Sequence, residues 1–202
     1  MDTEVVISLV VIAAIILVAF GIWYYYRRTT SKRLQEHFGP EYDQTVSRLQ
    51  SKERAEAELK DRERRVSKYD IVSLPRAERV RYQEAWMSIQ GRFVDQPKAA
   101  VADADSLVQE VMQKCGYPLT NFEQSAADLS VEHPDVVENY RAACRIAHSS
   151  RRGSADTEEL RQALVYYRAL FDELLEEDKP KSHDAETKHQ VVATRQAKAH
   201  PN

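Results

Sequence analysis

Hydrophobic residues recur at helical spacing along most of this chain, but from Val5 to Tyr26 they run together with no charge among them. The 22 residues of that run, at 1.5 Å rise each, make a helix about 33 Å long, enough for a hydrocarbon core of about 30 Å. Only Ser8 and Gly21 interrupt it, and the residues before it, Asp2 and Glu4, are acidic. A cleaved secretory signal has a basic start, a shorter apolar stretch and a small-residue cleavage site. The pattern predicts an uncleaved transmembrane anchor. Trp23, Tyr24, Tyr25 and Tyr26 close the run with amphipathic rings suited to the headgroup boundary, and Arg27, Arg28, Lys32 and Arg33 follow. These eight are the expected membrane-interface residues. Lys and Arg beside a span stay on the cytoplasmic side, so the expected topology is N-terminus outside and C-terminal domain cytoplasmic.

After the anchor, Gly39-Pro40 is the first break, because glycine accepts the left-handed conformation that ends a helix and proline cannot continue one. Thr30 to Phe38 therefore reads as a short juxtamembrane helix. Residues 41–70 contain neither glycine nor proline and are rich in helix formers, with Glu56–Lys60, Glu58–Arg62 and Asp61–Arg65 spaced four apart. The expectation is one long, charged stalk helix, about 45 Å in length. As a coiled-coil seam, the best heptad register runs Tyr42, Thr45, Leu49, Lys52, Glu56, Leu59, Glu63, Val66 and Asp70, four of whose nine positions are charged. A zipper wants those positions apolar nearly throughout, so a solvated stalk is favoured over self-association through residues 41–70.

From Ser73 onward, four amphipathic segments are separated by short proline- or glycine-bearing links. The first carries Tyr82, Trp86, Ile89 and Phe93 on one face; the second Ala100, Ala104, Leu107, Val108, Val111, Met112 and Cys115. A short helix with Phe122, Ala126 and Leu129 inward precedes a third long one bearing Val136, Val137, Tyr140, Ala143, Cys144 and Ala147. Leu160, Leu164, Tyr167, Phe171 and Leu174 line the last. Such stripes bury against one another in an antiparallel bundle of about four helices. The tail from Asp178 has almost no large apolar group, too little burial to offset ordering entropy, and is expected to be disordered. The expected fold is all-α: anchor 1–28, juxtamembrane and stalk helices 29–72, bundle 73–177 and tail 178–202.

Composition narrows the function classes. A net charge of -3 removes the global reason to expect nucleic acid. Two cysteines, Cys115 and Cys144, are too few for a disulfide scaffold and have no metal-binding spacing. No phosphate loop, Gly-x-Ser-x-Gly or His-Glu-x-x-His is present. Asp103 and Asp105, two apart on a helix, diverge by about 200° and read as solvated. Cys144 and His148, four apart, share a helix face but lack a third ligand. His183, Glu186 and His189 have helical spacing in the polar tail, and His133 precedes Pro134 at a helix boundary. None of these makes a catalytic, cofactor or metal site, and the expectation is a non-enzyme without cofactor.

Phe38-Gly39-Pro40-Glu41-Tyr42-Asp43, Phe93-Val94-Asp95-Gln96-Pro97, Cys115-Gly116-Tyr117-Pro118, Leu129-Ser130-Val131-Glu132-His133-Pro134 with Tyr140-Arg141, and Leu160-Arg161-Gln162-Ala163 through Tyr167-Arg168-Ala169-Leu170-Phe171 form a distinctive series. Over residues 34–175 it resembles an uncharacterised bacterial family of small helical proteins with an N-terminal hydrophobic segment, often labelled membrane or secreted. The resemblance implies no activity and no site residues. The function expected is a membrane-anchored helical interaction or scaffolding module, with the lipid bilayer and an unknown protein partner or a second copy as partners. The alternatives are a homo-oligomeric membrane protein joined through residues 41–70 and a tethered enzyme with its site in the bundle.

Overall fold

The computed structural model describes residues 3–176, apart from the side chains of residues 3–11, 13, 14, 19, 22, 23 and 25–27. The expected disordered tail lies outside the described residues. Within them the chain is all-helical: α1 (Thr3–Phe38), α2 (Pro40–Leu49), α3 (Lys52–Val66), α4 (Arg76–Arg92), α5 (Pro97–Lys114), α6 (Phe122–Glu132), α7 (Val137–Arg151) and α8 (Thr157–Leu175). Among the described residues no helix is long and apolar enough to cross a membrane. Most side chains of Val5–Tyr26, on which the expectation of a span rests, lie outside the description.

Two compact units form. One joins the residues up to Asp70 with Thr120–Arg141; the other joins Ile71–Leu119 with the residues from Ala142 onward. The second unit is the expected helical bundle, built by α4, α5, the later turns of α7, and α8. Its core holds Tyr82, Trp86, Val108, Val111, Met112, Ala143, Ala147, Tyr167 and Phe171, and Trp86 stacks on Phe171 at 4.8 Å between ring centroids. Asp156 starts α8 with a complete capping box, its side chain accepting from the Glu159 amide while the Glu159 side chain accepts from the Asp156 amide. Tyr82, Trp86 and Ile89 are buried as the spacing predicted, whereas Phe93 is half-buried at the end of α4. The short α6 and the first turn of α7, read from the sequence as bundle segments, cluster instead with α1–α3.

The first unit corrects the expected stalk. Residues 41–70 are not one solvated helix, because the chain turns at Gln50, whose φ of 52° is left-handed, and restarts at Ser51. The Ser51 hydroxyl accepts from the Arg54 amide at 3.3 Å and satisfies one of the four unpaired donors of the new helix. Helices α2 and α3 then pack on each other, and α3 packs on α6. Tyr42, Thr45, Glu56, Leu59 and Val66 of the tested heptad register are all buried, so that register marks a real inner face, closed within one chain. The juxtamembrane helix is also not separate: α1 runs unbroken to Phe38 and ends at Gly39, whose φ is +47°. Leu34 and Phe38, in its last turns, are fully buried.

Candidate functional site

Each unit holds a buried polar cluster, and the larger is in the first. Glu41 sits in the first turn of α2, one residue after Pro40, where a carboxylate also meets the positive end of the helix dipole. Its side chain is 2% exposed and receives two guanidinium groups: Arg62 of α3 at 2.6 Å, and Arg141 of α7 at 2.6 and 2.9 Å. Burial pushes the Glu41 carboxyl up, but the hydrogen bonds and charges of Arg141 and Arg62 outweigh it and hold it below the ordinary carboxylate value. Burial likewise lowers Arg141, and Glu41 more than reverses that. Arg62 also donates to Ser130 Oγ at 3.0 Å and to Glu58, yet its buried Nε has no hydrogen-bond partner. Beside this group Asp128, 1% exposed, accepts from Arg65 at 2.8 Å and from the Tyr69 hydroxyl at 2.9 Å. Glu56 accepts from Ser31 at 2.6 Å and from the Tyr42 hydroxyl at 3.0 Å, and burial followed by Glu56 pushes Tyr42 up to about 12.

These contacts join α1, α2, α3, α6 and the start of α7, and every charge among them has an opposite partner. An ion set of this kind adds less to stability than it adds to uniqueness of pairing, since desolvation consumes most of the Coulombic gain. It holds helices in register rather than offering a free group to a substrate.

In the second unit Asp105 of α5 is the centre. Its carboxylate accepts from the Tyr167 hydroxyl of α8 at 2.8 Å, from Gln109 at 3.1 Å and from Arg151 at 3.3 Å, and Cys144 Sγ of α7 lies 4.0 Å away. The Tyr167 hydroxyl is also 3.5 Å from that sulfur. Burial, then Cys144 and Asp105, push the Tyr167 phenol far above its ordinary value, which keeps it a proton donor. Asp105, Cys144 and Tyr167 thus form a polar link among α5, α7 and α8.

Sequence reading and structure differ here in a specific way. Asp103 is half-buried and pairs with Arg92 at 2.9 Å at the surface, but Asp105 is buried. The expectation that both are solvated fails at Asp105, because the same divergence that turns Asp103 outward turns Asp105 into the core. Cys144 is half-buried and turns toward Tyr167, whereas His148, four residues further on, is exposed. His133 occupies the C-cap of α6. No group of three or more His, Cys, Asp or Glu among the described residues is close enough to hold a metal, and His183, Glu186 and His189 lie outside them. An open hollow of about 500 Å³ lies between the starts of α5 and α8, lined by Pro97, Lys98, Asp156 and Thr157 among others, with the Asp156 carboxylate already committed to its cap.

Of the expected membrane-interface residues, Tyr24 is 55% exposed, Arg28 and Lys32 are exposed, and Arg33 donates to Glu63 at 2.6 Å. The side chains of Trp23, Tyr25, Tyr26 and Arg27 lie outside the description. The sequence reading does not bring Glu41, Arg62, Arg141 and Asp128 together and takes Asp105 as solvated, although a charge at an otherwise apolar helix position is the signal available. Comparison with protein-family models, characterised proteins and solved structures finds no match.

Proposed function

We propose that this chain is a single-pass membrane-anchored scaffold whose helical units sit on the cytoplasmic side and present an interaction surface to protein partners. The observation that carries this reading is the continuity of α1. The uncharged run Val5–Tyr26 and the buried Leu34 and Phe38 belong to one helix, Thr3–Phe38. An anchor of this form is a rigid extension of the first unit's core, not a flexible leash, so it fixes the folded unit at a set height above the bilayer. The basic residues after the run support the orientation, and kinship with the uncharacterised bacterial family belongs to the same reading. The two polar clusters, whose groups are paired internally, suit a scaffold better than an enzyme. Self-association through residues 41–70 is the weaker alternative, because Leu59 and Val66 are 0% and 3% exposed within one chain.

The test has two arms. Membranes carrying the full chain are washed with alkali, and the protein is expected to stay with the bilayer; release into the wash overturns the anchor. A photocrosslinking residue replacing Met87, which is 62% exposed on α4, is expected to give a discrete adduct with a protein partner. Repeated illumination in cells that yields only uncrosslinked chain overturns the scaffold role.

A further inference from the structure

We infer that α1 and the α2–α3 turn together form a basic collar that binds anionic lipid headgroups around the anchor, a reading that rests on the membrane attachment proposed above. Two contacts set the direction of α3 against α1. Ser31 of α1 donates to Glu56 at 2.6 Å, and further along both helices Arg33 bonds Glu63 at 2.6 Å. The two helices therefore advance in the same sense, and α2 lies between them in sequence as the returning segment. Five residues back from Glu56 is Ser51, about 7.5 Å at 1.5 Å per residue. The same distance back from Ser31 along α1 reaches Tyr26, and the count from Glu63 back to Ser51, taken from Arg33, reaches Gly21, so the two contacts place the turn beside the last residues of the apolar run. The α2–α3 turn is thus folded back to the level at which the chain would leave the bilayer, although it is more than twenty residues further on in sequence.

The charges at that level are one-sided. Residues 27–33 contain four cations and no acid, and residues 48–54 contain Arg48, Lys52 and Arg54 against Glu53 alone. Arg28, Lys32, Arg48, Lys52 and Arg54 are exposed. Arg48 leans on Glu58, and Lys52 is 3.8 Å from Glu56; both keep exposed ammonium or guanidinium faces, with 55% and 56% of the side chain accessible. Cations within a Debye length of a leaflet carrying anionic lipid are drawn to it. A phosphodiester headgroup, singly negative and arrayed in a plane, is the chemistry that a ring of separate cations fits. Lys52 and Arg54 enter this ring only because the chain reverses at Gln50.

The experiment uses the full chain in nanodiscs of phosphatidylcholine alone or with phosphatidylglycerol, and follows hydrogen exchange in residues 50–54. Exchange there is expected to slow several-fold when the anionic lipid is present, with a ceiling of about thirtyfold at about 1 kcal/mol for each of two cations. The difference is expected to vanish in the exposed-site double variant K52Q/R54Q and to grow in E53Q, while exchange in α8 stays the same in all. Equal exchange in the two lipids from a chain that remains embedded after alkali overturns the collar and leaves the anchor standing. A chain released from phosphatidylcholine by alkali overturns both.

Discussion

Glu41 and Arg141 are 100 residues apart in the chain, and their side chains meet through two bonds of 2.6 and 2.9 Å with the carboxylate almost completely buried. The pair ties the turn that ends α1 to the first turns of α7, and Arg62 completes it from α3.

Replacing Glu41 by Gln removes the one counter-charge shared by Arg62 and Arg141, and breaking a buried ion set from one side costs about 3–5 kcal/mol. The carboxyl is held below 4.5 in the folded state. Its contribution is therefore present in full above the unfolded value and is lost as pH falls through the lowered folded value. Urea unfolding of the detergent-solubilised protein, followed by circular dichroism, is expected to show a large gap between wild type and E41Q at neutral pH that closes in acid. An equal gap at both extremes would sink the electrostatic account.

Tyr167→Phe deletes the hydroxyl that donates to Asp105 at 2.8 Å and leaves a mostly buried carboxylate short of one donor. The expected loss is about 1–3 kcal/mol, with helix content unchanged. A neutral result in the same urea assay would mean that Gln109 and Arg151 satisfy Asp105 without the phenol.

The two positive-φ positions of the first unit predict opposite outcomes. Gln50 has φ 52° with a side chain attached, so Gln50→Gly relieves strain of about 1 kcal/mol. Gly39 has φ +47° and ψ -122°, outside the αL well, and open space where a Cβ would stand, so Gly39→Ala costs about 1–3 kcal/mol through the backbone alone. Thermal unfolding midpoints that moved in the same direction for both would contradict the turn geometry.

Thiol labelling separates the two cysteines. Cys115 is 4% exposed and burial pushes its thiol up to about 11, whereas Cys144 is half-buried. Maleimide is expected to modify Cys144 first, and Cys115 only at the rate of local or global opening. The stability linked to Cys115 is present below its ordinary value of 9.0 and declines as pH rises toward 11, because the unfolded thiol ionises first. Mass-resolved labelling that found equal rates at the two sites would refute the burial of Cys115.

Helical class, the break at Gly39-Pro40 and most of the bundle core were legible because each depends on residues within one or two turns. Tyr82, Trp86 and Ile89 lie on one face at any tertiary arrangement, and Gly39 supplies a conformation that other residues resist. The turn at Gln50-Ser51 was less visible, since neither residue is glycine or proline and the flanking charges favour a continuous helix. Its signal was the capping serine, worth about 1 kcal/mol, too small to decide the matter against thirty residues of helix former. What decided it was burial of Leu59, Ala55 and Val66 against α2 and α6, a gain that exists only after the chain has reversed. The same holds for the polar clusters. Sequence alone determined that Glu41, Arg62, Asp105 and Arg141 are charged and helical, but whether such a charge is solvated or paired depends on which distant helix lies opposite. Only the tertiary structure put Arg141 against Glu41 and Tyr167 against Asp105, because desolvation and pairing are properties of the packed surface and not of the residue.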